Sequence, residues 1–440
     1  MSSALKAGVA SVNISPPIGV DLTGFGNRTG PCIGIHDDIH AKALVLDNGS
    51  TRVGIVTTDL LGLDPRLVDQ IRTLAKDTLG IQPESLMLNS SHTHSAPAAN
   101  YLRGLGNMDG PYCDCLVRKI VGALRMAVDD LAQAQLFAGT GNVQVGINRR
   151  ERIQSGGMKL GSNPEGPVCT EVQVLRVDCN GQTKAVLHNH AAHPVVLGGD
   201  NLLVSADFVG YANAGVQRLM GDSVTALFAQ GCCGNINARL RKTFDAAAKL
   251  GRILAGATVA TAESAEPLES CELGGASTQL QLPYLPPPTV DEAQAQLDKA
   301  KADLKAIEGQ DVTRGKRMMD EAMVAWAEDS LRVAKGESDD TAAEFEVQAL
   351  RIGDVAVVGL EGEVFVQYEH NIRAASRYAT TMVLAYTNGC IGYVPDAAAY
   401  PFGGYEVTMA YKMYATQMIA PESEGIILAE AKRLLGGLKG

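Results

Sequence analysis

Two apolar runs in this 440-residue chain end in histidines, and any fold it adopts must accommodate both. Leu86-Met87-Leu88-Asn89-Ser90-Ser91 leads into His92-Thr93-His94, and a later strand-like run leads into His188-Asn189-His190-Ala191-Ala192-His193-Pro194. In an extended backbone residues i and i+2 project the same way, so His92 and His94 are expected side by side at a strand end. Two imidazoles placed there can share a divalent metal or work as an acid–base pair. Pro194 biases His193 toward extended backbone and so fixes its ring direction, which makes His193 the candidate ligand of the second cluster. His188 and His190 read better as core or supporting groups.

The pattern between these clusters indicates an α/β protein with mixed β-sheets flanked by helices. Ala41–Asp47 and Arg52–Asp59 read as strands joined by an Asn48-Gly49 hairpin turn. Helical spacing follows over Arg66–Leu79, and a helix is predicted over Leu116–Ala134. Strands are expected at Thr170–Asp178, Lys184–His188 and Val224–Ala229, with helices over Ala206–Met220 and Ala238–Thr261. Pro286-Pro287-Pro288 breaks the pattern, and Thr289-Val290-Asp291-Glu292 is a capping-box sequence. A helical hairpin inserted at about 289–336 is predicted, in its plain reading a solvated arm. Strands resume at Glu344–Ile352, Val355–Gly359 and Thr381–Tyr386 before a C-terminal helix.

A formal net charge of −11 argues against nucleic acid or an anionic membrane surface as the main partner. No apolar run reaches the roughly 18 residues that span a bilayer, and the N-terminus shows no secretory cleavage pattern. Nine cysteines without regular spacing suit a reducing compartment, so a cytoplasmic location is expected. Cys113-Asp114-Cys115 and Cys232-Cys233 lack zinc-knuckle spacing. A small-molecule partner fits best, and the oligomeric state is left open.

Several motifs together carry a resemblance. His92-Thr93-His94-Ser95-Ala96-Pro97, His193-Pro194, Ser205-Ala206-Asp207-Phe208-Val209-Gly210-Tyr211, Gly362-Glu363 and the segment Asn388–Tyr393 occur in the order seen in neutral/alkaline non-lysosomal ceramidases. The chain resembles the catalytic domain of that family over essentially its whole length. The resemblance implies one catalytic domain over residues 1–440, without the family's C-terminal immunoglobulin-like domain. It also implies a zinc ion held by His92, His193, Glu363 and Tyr393. Two neutral imidazoles and a carboxylate leave such a site one positive charge and room for water or a substrate oxygen. The Ser that the family carries after a Gly-Asp pair corresponds here to Asn237, in Gln230-Gly231-Cys232-Cys233-Gly234-Asn235-Ile236-Asn237. A carboxamide can bind substrate but cannot accept an acyl group.

Other polar residues are candidates for the same cleft. His94 would stabilise an oxyanion or shuttle a proton, with Tyr393 assisting. Arg149 and Arg150 end a strand and would clamp a carboxylate. His36, in a segment similar to one near the family's cleft, is a candidate substrate contact. Asp59 suits support of a histidine ligand, and Asp207 reads as a first-turn helix acid. The expected activity is a zinc-dependent amidase or deacylase acting on a small soluble molecule through metal-activated water. A metal-dependent esterase or lactonase is the first alternative, and a non-catalytic binding protein on the same fold is the second.

Overall fold

The computed structural model describes residues 5–154, 156–338 and 340–439. Two mixed sheets lie face to face with helices outside each, so the fold is mixed α/β. In spatial order the larger sheet runs Thr225–Gln230, Gln182–His190, Glu171–Cys179, Ala132–Asn142, Lys6–Asn13, His40–Asp47, Arg52–Thr58 and Leu86–Ser90. The outermost pair at each end is parallel, because a helix, Pro65–Leu79 or Asp207–Met220, separates its strands in sequence. The smaller sheet orders Leu273–Pro283, Ala342–Ile352, Val355–Leu360 and Thr380–Leu384.

Burial on both faces explains the continuous apolar runs. Along His40–Asp47, Ala41, Ala43 and Val45 pack toward helices Pro65–Leu79 and Gly110–Asp129, while Leu44 and Leu46 pack toward Leu350, Val357 and Met382 of the smaller sheet. No helix among the described residues is long and apolar enough to cross a membrane. All nine cysteines are unpaired.

The larger sheet bends until its two end strands meet through side chains. Asn89, on one end strand, accepts from Gln230 N–H on the other at 2.8 Å, and Gln230 Nε2 donates to Ser91 O at 2.7 Å. This closure brings the two histidine clusters together from opposite ends of the sheet.

Two element boundaries differ from expectation, while the inserted hairpin lies at its expected place. The helix predicted over Leu116–Ala134 is Gly110–Asp129, because Asp109 caps Tyr112 N–H at 2.8 Å and Ala132 already belongs to a strand. The segment from Ala238 is not helical at its start: Ile236–Ala238 pairs with Gly146–Asn148, and the helix begins at Phe244 behind a Thr243 cap. The inserted hairpin forms helices Val290–Ala306 and Arg314–Ala334, the first opened by the capping box.

That hairpin is docked rather than solvated. Arg314 pairs bidentately with Asp21 at 2.7 Å, and Arg103 pairs with Asp329. Gly315 lies so close to the 24–28 loop that a Cβ there would meet Gly26 O at 2.4 Å, so only glycine fits. Met319 and Met323 complete an apolar cluster with Leu61, Leu102, Leu105, Met413 and Tyr414.

Candidate metal centre

The backbone aims the histidines before any side chain does. His92 Nδ1 lies 2.7 Å from Leu61 O, His94 Nδ1 3.1 Å from Gly24 O, and His193 Nδ1 2.6 Å from Cys233 O. A carbonyl can only accept, so each Nδ1 carries the proton and each Nε2 keeps a lone pair. These three Nε2 atoms converge, and the ligand atoms of the group lie within 4.8 Å of one another. A Cβ on Gly24, whose φ is 93°, would sit 2.4 Å from His94 Nδ1, so this close approach also requires glycine.

His92 and His94 do not meet as neighbours on one face of a strand. The strand ends at Ser90, and His92 takes φ 66°, a left-handed conformation that costs a non-glycine residue energy and concentrates at functional sites. The turn brings their Nε2 atoms to 3.3 Å.

Glu363 completes the convergence. Its Oε2 is 3.0 Å from His193 Nε2 and 3.4 Å from His92 Nε2. Burial opposes its charge, while positive charge and donated hydrogen bonds from His92 and His193 in their protonated forms hold the carboxyl well below the usual carboxylate range. Burial, reinforced by the neighbouring imidazoles, pushes the His94 pKa well down, and burial beside Arg149 takes His193 to about 4. With each Nδ1–H held by a backbone carbonyl, the neutral tautomers turn three Nε2 lone pairs and the Glu363 carboxylate toward one another. Such an arrangement is self-repelling until a cation sits among them, and imidazole plus carboxylate is a donor set that divalent transition metals accept.

The remaining sequence candidates separate around this centre. Tyr393 does not join the donors in this arrangement: its hydroxyl accepts from Arg149 Nη2 at 2.8 Å. Arg149 also places Nη1 3.4 Å from both His193 Nε2 and Asn237 Oδ1. Asn237 is half-buried and backbone-bridged to His193. Arg150 turns away, donating to Glu406 at 2.7 Å and to Gly403 O at 2.7 Å, in the wall of an outer cavity of about 600 Å³. Arg149 also pairs with Glu406, at 2.9 Å, so the clamp expected for a substrate carboxylate is closed on the protein's own. His36 lies outside the cluster on the exposed surface, stacked on Phe244 at 3.7 Å and bonded to the Tyr211 hydroxyl at 2.8 Å.

Asp59 supports no histidine ligand: its carboxylate accepts from His40 N–H, and a carbonyl takes that role at His92. Asp207 adopts φ 55° and accepts the N–H groups of Leu197 and Phe208, bracing the loop that follows His193. His188 and His190 are core residues, bonded to Asn213 and to Glu171 O.

Sequence reasoning missed three groups around Glu363. Tyr386 stacks on His92 at 4.0 Å and donates to Glu363 Oε2 at 3.4 Å. The Tyr414 hydroxyl donates to Glu363 Oε1, and the Tyr405 ring lies 5.7 Å from that of Tyr393. Only their place downstream of Glu363 hinted at them. Burial pushes the Cys233 thiol well above its ordinary range, which leaves it protonated and a poor nucleophile.

The chain is similar to known proteins in sequence and in fold. Residues 6–249 match the family model described as neutral/alkaline non-lysosomal ceramidase, N-terminal. Neutral ceramidase B of Dictyostelium discoideum is 29% identical over 213 residues, covering 44% of this chain and 29% of that protein. Neutral ceramidase of Pseudomonas aeruginosa is 28% identical over 244 residues, covering 50% of this chain and 35% of that protein. The chain thus spans about a third or less of the length of these curated relatives. The crystal structure of neutral ceramidase from Pseudomonas aeruginosa shares the fold, with a TM-score of 0.75 and 19% identity over 100% of this chain and 75% of that one. The chain belongs to the neutral/alkaline non-lysosomal ceramidase family.

Proposed function

We infer that this protein is a zinc-dependent hydrolase that cleaves the amide bond of a small N-acyl compound with water as the nucleophile. The observation that carries this reading is the convergence of three Nε2 lone pairs and the Glu363 carboxylate, each imidazole locked by a backbone carbonyl. His92, His193 and Glu363 would hold the metal, with Tyr393 within the same network. When bound, zinc supplies Lewis acidity and lowers the pKa of water toward about 7. The amide class follows from the relatives, whose name denotes hydrolysis of ceramide, an N-acyl amine.

The protein's own groups divide the remaining work. His94 is half-exposed and keeps its Nε2 lone pair, so it can take a proton from the attacking water and deliver it to the departing nitrogen. The Tyr393 hydroxyl accepts from Arg149 and keeps its own proton to donate to the developing oxyanion, a contact worth about 3 kcal/mol in comparable sites. Asn237 orients substrate through its carboxamide and cannot form an acyl-enzyme.

The test is metal analysis of purified protein, followed by hydrolysis assays on N-acyl amines, N-acyl amino acids, esters and lactones. About one zinc per chain is expected, with amide hydrolysis lost on chelation and in His92→Ala and His193→Ala. Turnover of esters or lactones alone would reassign the enzyme. No metal after metal-replete expression would favour a binding protein.

A further inference from the structure

The half-buried members of the centre mark its mouth: Gly24, His94, Asn237, Tyr405 and Tyr414, with the Phe25 ring 4.8 Å from that of His94, while His92, His193, Glu363 and Tyr393 are buried. The chain leaves this mouth through Asn237 and passes directly into Arg239-Leu240-Arg241-Lys242, whose three basic side chains are exposed. Backbone contacts fix the path. Arg239 N–H donates to Val145 O at 2.9 Å, and Lys242 N–H donates to Val196 O at 2.5 Å, three residues beyond His193. Lys242 is held at φ 85°, a left-handed conformation with no glycine to relieve it.

Only the buried Asp207 carboxylate acts on this strip, at long range through Arg241 and without an ion-pair contact. Among the described residues, no carboxylate lies within ion-pair distance of Arg239, Arg241 or Lys242. The nearby Asp207 carboxylate is buried under two backbone N–H groups, and Glu406 is taken by Arg149 and Arg150. Arg241 lies close enough to Arg149 for their like charges to interact. Behind His94, Arg28 is a further buried cation: it feels the Asp200 carboxylate at a distance, donates to the carbonyls of His94 and Asn201, and its Nε–H finds no acceptor. On a chain of net charge −11, this concentration of positive charge beside the mouth is out of keeping with the rest of the surface. The Leu61–Tyr414 methionine cluster held by the helical hairpin supplies an apolar wall near the same mouth.

We propose that Arg239, Arg241 and Lys242 recognise an anionic group on the substrate, so that the amide cleaved is that of an amphiphilic acid such as an N-acyl amino acid. The proposal rests on the hydrolase reading above and names its substrate class. The apolar wall takes the acyl chain, and the guanidiniums at the rim draw in the charged end and hold it.

The experiment compares matched amides on zinc-loaded full-length protein: N-octanoylglycine with N-octanoylglycinamide, and N-octanoyl phosphoethanolamine with N-octanoylethanolamine. Wild type should favour the anionic member by about tenfold or more in kcat/KM, and added salt should erode that preference. Arg239→Gln combined with Arg241→Gln should bring the preference close to one, mainly through KM. Which pair shows the larger preference separates a carboxylate from a phosphate. Equal rates for charged and neutral members in wild type, or equal loss for both in the double variant, would overturn the proposal. So would loss of binding to anionic phospholipid vesicles with the substrate preference intact, since the strip would then serve a membrane. If no amide is turned over, the hydrolase reading fails by itself, and calorimetry still decides the anion site. Binding of N-octanoylglycine tighter than its amide, and weakened about tenfold in the double variant, supports the site; equal binding of acid and amide overturns it.

Discussion

Glu406 holds two buried guanidiniums, those of Arg149 and Arg150, at 2.9 and 2.7 Å. Removing one partner of a buried ion pair leaves uncompensated charge, so Glu406→Ala should destabilise the protein by about 3–5 kcal/mol. It should also release Arg149 from Tyr393, lowering kcat more than it raises KM; denaturant unfolding and steady-state kinetics together test both effects. An unchanged denaturation midpoint would show that solvent reaches these arginines. At this scale, legibility depended on locality. His92, His94 and His193 could be picked out because each sits at a strand end with chemistry in its own motif, and the adjacent arginine pair pointed to Arg149. Arg150 and His36 looked equivalent in sequence, but their direction depends on Glu406 and Phe244, which lie more than two hundred residues away. Tyr386, Tyr405 and Tyr414 carried no signal of their own, since an aromatic in an apolar stretch reads as core whatever its hydroxyl later meets.

Among the elements, the docked helical hairpin has the clearest mechanical role. It carries the chain's one tryptophan, Trp326, which is buried against the first helix of the hairpin with Lys412 Nζ 3.9 Å from its ring. Gly315→Ala would press a Cβ into Gly26 O, and overpacking of this kind costs about 1–3 kcal/mol. Trp326 fluorescence should then report hairpin release at lower denaturant than the far-ultraviolet signal of the sheets. Coincident transitions at the wild-type midpoint would mean that the rim loop gives way instead. The two helices were evident from the capping box and the apolar spacing, whereas their docking was not. The hairpin is held by Asp21, Arg28 and Arg103, and no local pattern announces a contact with residues so far back along the chain. The strand order was hidden for the same reason, because the two sheet ends meet through Gln230, which bonds both Asn89 and Ser91 across about 140 residues of chain.

Over the whole molecule, acid sensitivity follows from a histidine kept neutral in the core. Burial takes His188 down to about 4, although its hydrogen bond to Asn213 favours the charged form. The unfolded chain binds this proton near pH 6.5 and the folded one only near 4. Stability is therefore intact above about 6.5 and falls by about 3 kcal/mol as the pH drops to 4. His188→Gln should flatten this slope by about one proton, read from unfolding free energies across that range. A slope unaltered in the variant would assign the acid transition to other groups. The carbonyls that orient the three imidazoles have a separate consequence. They belong to Gly24, Leu61 and Cys233, three loops that meet only because the sheet curves round on itself. Side-chain replacement cannot delete a main-chain oxygen, so the pocket around the centre is free to diverge, by exchanging a serine for Asn237 or a neutral rim for a basic one, while the aim of the histidines is inherited with the path of the chain.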